Sequence, residues 1–529
     1  MFFGRKVHGR DAHATLFKEP YFEIDMCLEL LRIVSMNLKL LIVSSAVCAF
    51  FAGCTVGPNY VPPNPTLPDH YGESASAKLA TTQPSTAPSA TQPVSGQIEK
   101  WWQNFQDPQL DSLIERSVKS NLDLQAAESR IRQARAQYGV QLAGEFPTVG
   151  TSGSFSRSRG STLIGSQSNS SFSRSSAPNN LYRAGFDASW EIDIFGGVRR
   201  GVEAARDDIE ASVEDRHSVL LTLISEVARD YIDYRGFAKQ IAIAVENLKA
   251  QRETLAVTRR QFEAGLKTAT ELDVARAQAL VSTTESQIPA LESSLRRTAH
   301  ALAVLLGKEP NALVQELAET KPIPTAVIPE VPIGLPSDLI RRRPDVRRSE
   351  RQLAAATARI GVATADLFPK FSLTGSLGLE STQFKNIANY GSRFWSIGPS
   401  VSWPIFDAGR IRANIRVQDA LQEQAVINYE SIVLNSLADV EDSLIAYGQE
   451  QVRRKSLTDA VEANRRAVTL ATQRYTAGLT DFLSVLDAER SLYAAQDQLV
   501  QSDRFVSEDL VALYKALGGG WESLEPKAQ

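Results

Sequence analysis

The sequence predicts an α+β membrane protein in which a few short membrane strands join helices too long for any compact domain. Three observations carry that expectation. One unit is used twice along the chain, each unit contains a long heptad seam, and each contains short segments of period two.

The duplication is read by self-comparison. Asp123, Glu128, Gly139, Val140, Phe146 and Pro147 recur in the same spacing as Asp345, Glu350, Gly361, Val362, Phe368 and Pro369. Further on, Trp190 pairs with Trp403, Tyr234 with Tyr447, and Phe262-x-Ala264-Gly265-Leu266 with Tyr475-x-Ala477-Gly478-Leu479. The order of matches holds throughout, which places a first repeat at 101–309 and a second at 337–520. Between them, 310–336 is a proline-rich connector that no helix interior tolerates. A short tail, 521–529, follows.

The N-terminal part reads differently. Met36 opens a basic residue, an apolar run to Phe51 and then Ala52-Gly53-Cys54, the three-part pattern of a secretory signal over 36–53. The run is too short to span a bilayer, which takes about 20 apolar residues. Cys54 after Ala-Gly resembles the lipobox of bacterial lipoproteins, with Phe51 where Leu is usual, so Cys54 is the expected acylation site. Thr55 after it, with no Asp, resembles outer-membrane-sorted lipoproteins. Residues 1–35 carry no targeting logic and read as an over-long start. Residues 54–100, with a Ser/Thr/Pro-rich stretch from Thr81 to Pro93, read as an acylated tether.

Within the first repeat, Leu220, Ile224, Val227, Tyr231, Tyr234, Ala238, Ile241, Val245 and Leu248 form a heptad seam. No proline interrupts the pattern from about Val198 to Phe262, a helix on the order of 95 Å long. The second repeat shows the seam at Val433, Leu437, Val440, Leu444 and Tyr447. It loses it at Gln451 and Arg454 and resumes at Val461 and Val468, so a bend or a different packing partner is expected there.

Four segments alternate apolar and polar: Thr148–Phe155, Tyr182–Ile192, Phe371–Leu379 and Trp395–Ile405. Half-buried strands of a soluble sheet would alternate in the same way. Aromatic residues near the strand ends and long polar loops, Arg157–Asn180 and Glu380–Arg393, favour a membrane barrel. Four strands cannot close, and open edges in lipid leave backbone groups unpaired. Two chains would give eight strands and a filled interior; three would give twelve and a pore.

Charge and composition exclude other classes. The 529 residues carry a net charge of −4, too weak a field for nucleic-acid binding. The only cysteines are Cys27, Cys48 and Cys54, and beyond the leader only His70, His217 and His300 remain, at no ligand spacing. No nucleophile elbow or His-centred constellation is found, so no enzyme, metal or cofactor is expected.

Several segments resemble the TolC family of outer membrane factors, in its lipoprotein branch serving resistance-nodulation-division pumps. They are Cys54-Thr55-Val56-Gly57-Pro58-Asn59-Tyr60, Trp101-Trp102-Gln103-x-Phe105-x-Asp107-Pro108, and Gly334-Leu335-Pro336-Ser337-Asp338-Leu339-x-Arg341-Arg342-Arg343-Pro344-Asp345. Arg474-Tyr475-x-Ala477-Gly478-Leu479, followed by Leu486-Asp487-Ala488, belongs with them. The resemblance implies a homotrimer with a twelve-stranded outer-membrane barrel, four strands per chain, continuous with a periplasmic helical barrel. It implies a passive efflux duct served by an inner-membrane RND-type pump and a periplasmic adaptor protein.

It also implies a gate. Helix pairs turn at Gly265 and Gly478, Asp487 matches a ring acid, and Tyr475 matches a tyrosine bonded to an acid in the first repeat, here Glu271. Asp481 is the next candidate acid. Ser484 and Thr480 stand where some members carry a second acid and an arginine. Two alternatives stay open: a protein or metal-ion export duct of the same family, and a structural coiled-coil lipoprotein of the envelope.

Overall fold

A computed structural model describes residues 55–65, 67–73, 98–159, 178–265, 269–319, 322–324 and 336–524. The leader, Cys54, the stretch Thr81 to Pro93, most of the first long loop, much of the connector and the last five residues lie outside the described residues.

After a 3-10 turn at Trp101–Phe105 the first repeat runs α1 (Pro108–Ser120), α2 (Leu122–Leu142), β1 (Thr148–Ser158), β2 (Asn179–Ile192), α3 (Gly197–Glu263) and α4 (Glu271–Leu305). The second runs α5 (Pro336–Arg342), α6 (Pro344–Ala365), β3 (Lys370–Ser381), β4 (Arg393–Ser402), α7 (Arg410–Thr476) and α8 (Phe482–Ala516). The duplication is therefore visible element by element. It extends to single bonds: the Trp190 indole donates to the Glu145 carbonyl and the Trp403 indole to the Leu367 carbonyl, both at 3.0 Å. Both long helices begin after a glycine in the left-handed region, Gly196 and Gly409.

Helices α3 and α7 have 67 residues each, about 100 Å of helix. Shorter helices line them in two tiers. On α3, α2 and α6 pack beside the strand end and α4 and α8 beside the far end; α7 packs mainly against α6 and α8. Of the two expectations for the lapse in the second seam, a bend or a different packing partner, the partner is observed within one continuous helix, α7. Where the apolar seam lapses, polar pairs to α8 replace it: Arg454 Nε meets Asp503 and the Ser502 hydroxyl donates to Glu450, both at 2.5 Å.

The strands form one antiparallel sheet in the order β1-β2-β3-β4. In register, Phe186, Leu377 and Trp395 stand side by side, as do Ile192, Phe371 and Val401, so one face is apolar. Phe186, Leu377, Trp395 and Val401 are all at least 59% exposed. The other face is a hydrogen-bonded polar surface: Ser372 with Ser400 and Ser376 with Ser396 at 2.7 Å, and Ser152 donating to Asp187 at 2.8 Å. Strand β4 ends at Ser402, so Trp403 to Ile405, read as strand from their alternation, lie in the turn into α7. Outer edges of β1 and β4 have no partner within the described residues.

The main core lies midway along the helices, where the segment around Trp101 meets the end of α8 and Trp521. Trp101 is fully buried and stacks on Tyr514 with centroids 5.4 Å apart, inside a cluster with Trp102, Phe105, Leu220, Ile224 and Trp521. Asp107 caps α1 through the Gln109 amide at 2.8 Å and accepts from the Tyr231 hydroxyl at 2.7 Å. The fully buried Arg235 donates to that hydroxyl at 3.1 Å and to the Glu319 carbonyl at 2.5 Å. The Trp-Trp motif is thus a structural joint between α1, α3 and the connector.

Candidate functional site

The described part of the tether begins at the strand–helix corner. A Cβ added at Gly196 would lie 2.9 Å from the Thr55 Cα, and the Val56 amide donates to the Phe195 carbonyl at 3.1 Å. Gly57 passes so close to α6 that a Cβ would come within 2.5 Å of the Gly361 Cα. Arg200 donates to Asn59 at 2.6 Å and the Tyr60 hydroxyl to Glu350 at 3.1 Å. Gly57, Asn59 and Tyr60 of that N-terminal motif thus each have a contact specific to their residue type.

At the opposite end, both helix hairpins turn through a left-handed glycine, Gly265 at φ 70° and Gly478 at φ 72°. The Gly265 amide donates to the Phe262 carbonyl at 2.9 Å and the Gly478 amide to Tyr475 at 3.0 Å. The returning helices are capped by side chains. Thr270 and Asp273 form a capping box on α4, and Asp481 accepts from the Ser484 amide at 3.3 Å on α8. Asp481 also accepts from the Ser484 hydroxyl at 2.8 Å, so within the chain it serves as the cap of a helix.

Asp487 lies one turn further along α8, exposed, with no hydrogen bond or ion pair among the described residues. Glu271 is exposed at the first position of α4. Tyr475 is buried, at 2% exposure, and packs against Phe482 at 5.6 Å. Its hydroxyl lies 3.5 Å from Thr258 Oγ1 and not against Glu271, and burial pushes its pKa up. The acid that acts on it is Asp273. The expected Tyr475–Glu271 bond is therefore replaced by a contact across the two hairpins, from α7 to α3.

Beside that contact a longer seam runs between α3 and α8. Near the chain's middle the seam is apolar, with Leu510, Val511 and Tyr514 against the core of α3. Toward the tips it becomes polar at positions seven residues apart on α3. Asp233 meets Arg504 at 3.2 Å, Gln240 donates to Asp497 at 2.7 Å, Asn247 to Gln496 at 2.8 Å and Thr254 to Glu489 at 2.8 Å. Burial raises the Glu489 carboxyl. Sequence reading missed this ladder. The signal was present as a seven-residue polar repeat, which looks like any solvated helix face.

The top rung is built differently. The Arg504 stem crosses Gly236, where a Cβ would lie 2.8 Å from its Cδ. Its guanidinium sits over the Phe505 and Phe237 rings, 4.9 and 5.3 Å from their centroids. It reaches Asp233 on α3 and Glu508 on α8, the latter at 3.1 Å. One guanidinium thus serves two carboxyls. Burial, then the Asp233 charge, push the Glu508 carboxyl up to about 8, which favours its protonated form beside Asp233.

Among the described residues no group of His, Cys, Asp and Glu is arranged to hold a metal ion, and no helix is long and apolar enough to cross a membrane.

Comparison with known proteins agrees with this architecture. The family model for outer membrane efflux proteins matches residues 113–308 and 335–519. Nodulation protein T of Rhizobium leguminosarum bv. trifolii is 33% identical over 474 residues, 89% of this chain and 95% of that protein. The pyoverdine export outer membrane protein OpmQ of Pseudomonas aeruginosa is 36% identical over 426 residues, 80% of this chain and 88% of its own length. The solved outer-membrane channel OprN superposes with a TM-score of 0.79 at 36% identity, covering 89% of this chain and all of that one. The open state of the Neisseria gonorrhoeae MtrE outer membrane channel gives 0.73 at 29% identity, over 89% of this chain and 99% of that one. The chain therefore belongs to the outer membrane efflux protein family, as an outer-membrane channel whose helices extend into the periplasm.

Proposed function

We propose that three copies of the chain close into one duct. It would carry small organic solutes outward from an inner-membrane RND-type pump through a periplasmic adaptor, without chemical conversion. The observation that carries the trimer is an asymmetry between repeat-related helices. Twenty-four positions of α3 are buried and nine of the matching helix α7. Ile427, Leu434 and Val452 on α7 are more than half exposed. Helix α3 has neighbours from both repeats, whereas α7 lacks the flanking pair that a second chain's α2 and α4 would supply. The sheet edges ask for the same remedy, because β4 of one chain can pair only with β1 of the next. Relatives named for pyoverdine export and toluene efflux support small organic cargo.

Acylation of Cys54 fits the place of its neighbour: Thr55 packs at the strand–helix corner, against Gly196 between β2 and α3. At the tips, three exposed Asp487 carboxylates form the ring that admits cations, and Tyr475 steadies the closed seam. The test is mass measurement of detergent-extracted protein. Three chains per particle and an N-terminal mass carrying acyl groups on Cys54 are expected; Cys54→Ser removes the acyl mass and keeps the trimer. A stable monomer contradicts the duct.

A further inference from the structure

On the polar face of the sheet one residue breaks the pattern. Phe394, second in β4, points to the side occupied by Ser396, Ser400 and Ser402, since its neighbour Trp395 stands on the apolar face. The strand register shows what makes room for it. Directly beside Phe394 stands Gly378 of β3, and beside that Gly185 of β2, so two neighbouring positions lack a side chain. The ring covers this gap: a Cβ at Gly378 would lie 2.8 Å from the Phe394 Cε1, and 2.5 Å from the Ala184 carbonyl oxygen. Arg183 then stacks its guanidinium over the ring, 4.3 Å from the centroid, and pairs with Glu380 at 3.9 Å. The ring is half-buried.

These residues lie toward the loop ends of the strands, away from the helices. The counterpart of Phe394 in the first repeat, by the Trp190–Trp403 pairing, is Leu181, also on the polar face, because Tyr182 stands on the apolar one. The duplication thus puts an apolar residue at the repeat-related position of the second strand in both repeats.

We propose that Phe394, held against the Gly185–Gly378 gap and covered by Arg183, sets the width of the channel's extracellular exit. The inference rests on closure of the sheet into a trimeric barrel with its polar face inward. Three rings would then line the lumen at one height. Laid on the wall they keep the exit wide. A side chain at Gly378 would press on the β2 backbone and on the ring, and the ring, with its guanidinium, would be lifted into the path.

The sequence supplies a clean probe, because no cysteine follows Cys54. Ser396→Cys places one thiol two residues from Phe394 on the same face, and its labelling in intact cells reads passage through the exit independently of the helix tips. A small methanethiosulfonate reagent is expected to label it at the same rate in every background. A bulky maleimide is expected to react several-fold faster with Phe394→Ala and several-fold slower with Gly378→Ala. The double variant Gly378→Ala with Phe394→Ala should recover the fast rate. If Gly378→Ala fails to assemble, Phe394→Trp replaces it as the narrowing variant. Bulky-reagent rates that ignore Phe394 overturn the proposal while leaving the duct intact. Failure of even the small reagent to reach the thiol overturns the inward placement of the polar face, and the proposal with it.

Discussion

Replacing Glu508 by Gln isolates the proton at the top rung of the seam. In the folded chain burial and Asp233 raise this carboxyl from 4.5 to about 8. Between those values the folded chain holds a proton that the unfolded chain has released. Stability from this group is therefore fully present below about 4.5 and falls as pH rises toward 8, by about 1.4 kcal/mol per pH unit. From pH 6.5 to 8 the loss is on the order of 1–2 kcal/mol per chain, allowing for half-ionisation at the upper limit. Asp207, Asp230 and Asp509 are raised only to about 6, so most of their release precedes this window. Denaturant unfolding of the purified protein, followed by the fluorescence of Trp101, Trp102 and Trp521, reads the difference. Wild type should lose stability across the window and Glu508→Gln should stay nearly flat. Equal slopes in the two proteins refute the shared-proton account of the Asp233–Arg504–Glu508 cluster.

Three further outcomes are expected. Asp487→Asn should reduce cation preference in planar bilayers, since the carboxylate is exposed at the tip and unpaired among the described residues; unchanged selectivity moves the ring elsewhere. Gly478→Ala should strain the left-handed turn by about 1–2 kcal/mol and raise the closed-state leak measured as basal conductance. Trp101→Ala, which empties the fully buried site against Tyr514, should cost about 3–5 kcal/mol and appear as a loss of assembled protein in size-exclusion chromatography.

How far the residues themselves disclosed this structure follows from what each pattern depends on. Helix α3 was bounded to within a residue at each end, because its seam packs against partners in the same chain. The lapse in the α7 seam was legible as a change of packing but not its nature, because seam reading counts only apolar contacts, and the Arg454–Asp503 and Ser502–Glu450 pairs carry the packing there. The strands were legible from alternation, but Phe394 lay just outside the segment read as strand, and the glycines that accommodate it come from two other strands. At the tips, Gly265 and Gly478 were readable because a sharp helix reversal needs their backbone. The partner of Tyr475 was not, since Thr258 lies 217 residues away and is joined to it only by the packing of two hairpins.

The unequal burial of α3 and α7 also bears on how a channel comes into being. A single chain can complete its first hairpin alone, whereas the second keeps an apolar flank until other chains arrive. Formation is then a collision-limited process, whose pace depends steeply on the local supply of newly exported chains. Until it completes, each chain carries a sticky surface through a crowded compartment. Slow export invites its loss to proteolysis, and overproduction invites misassembly. For the same reason, a chain altered only along the exposed face of α7 should be made and exported normally, yet should spoil any particle it enters.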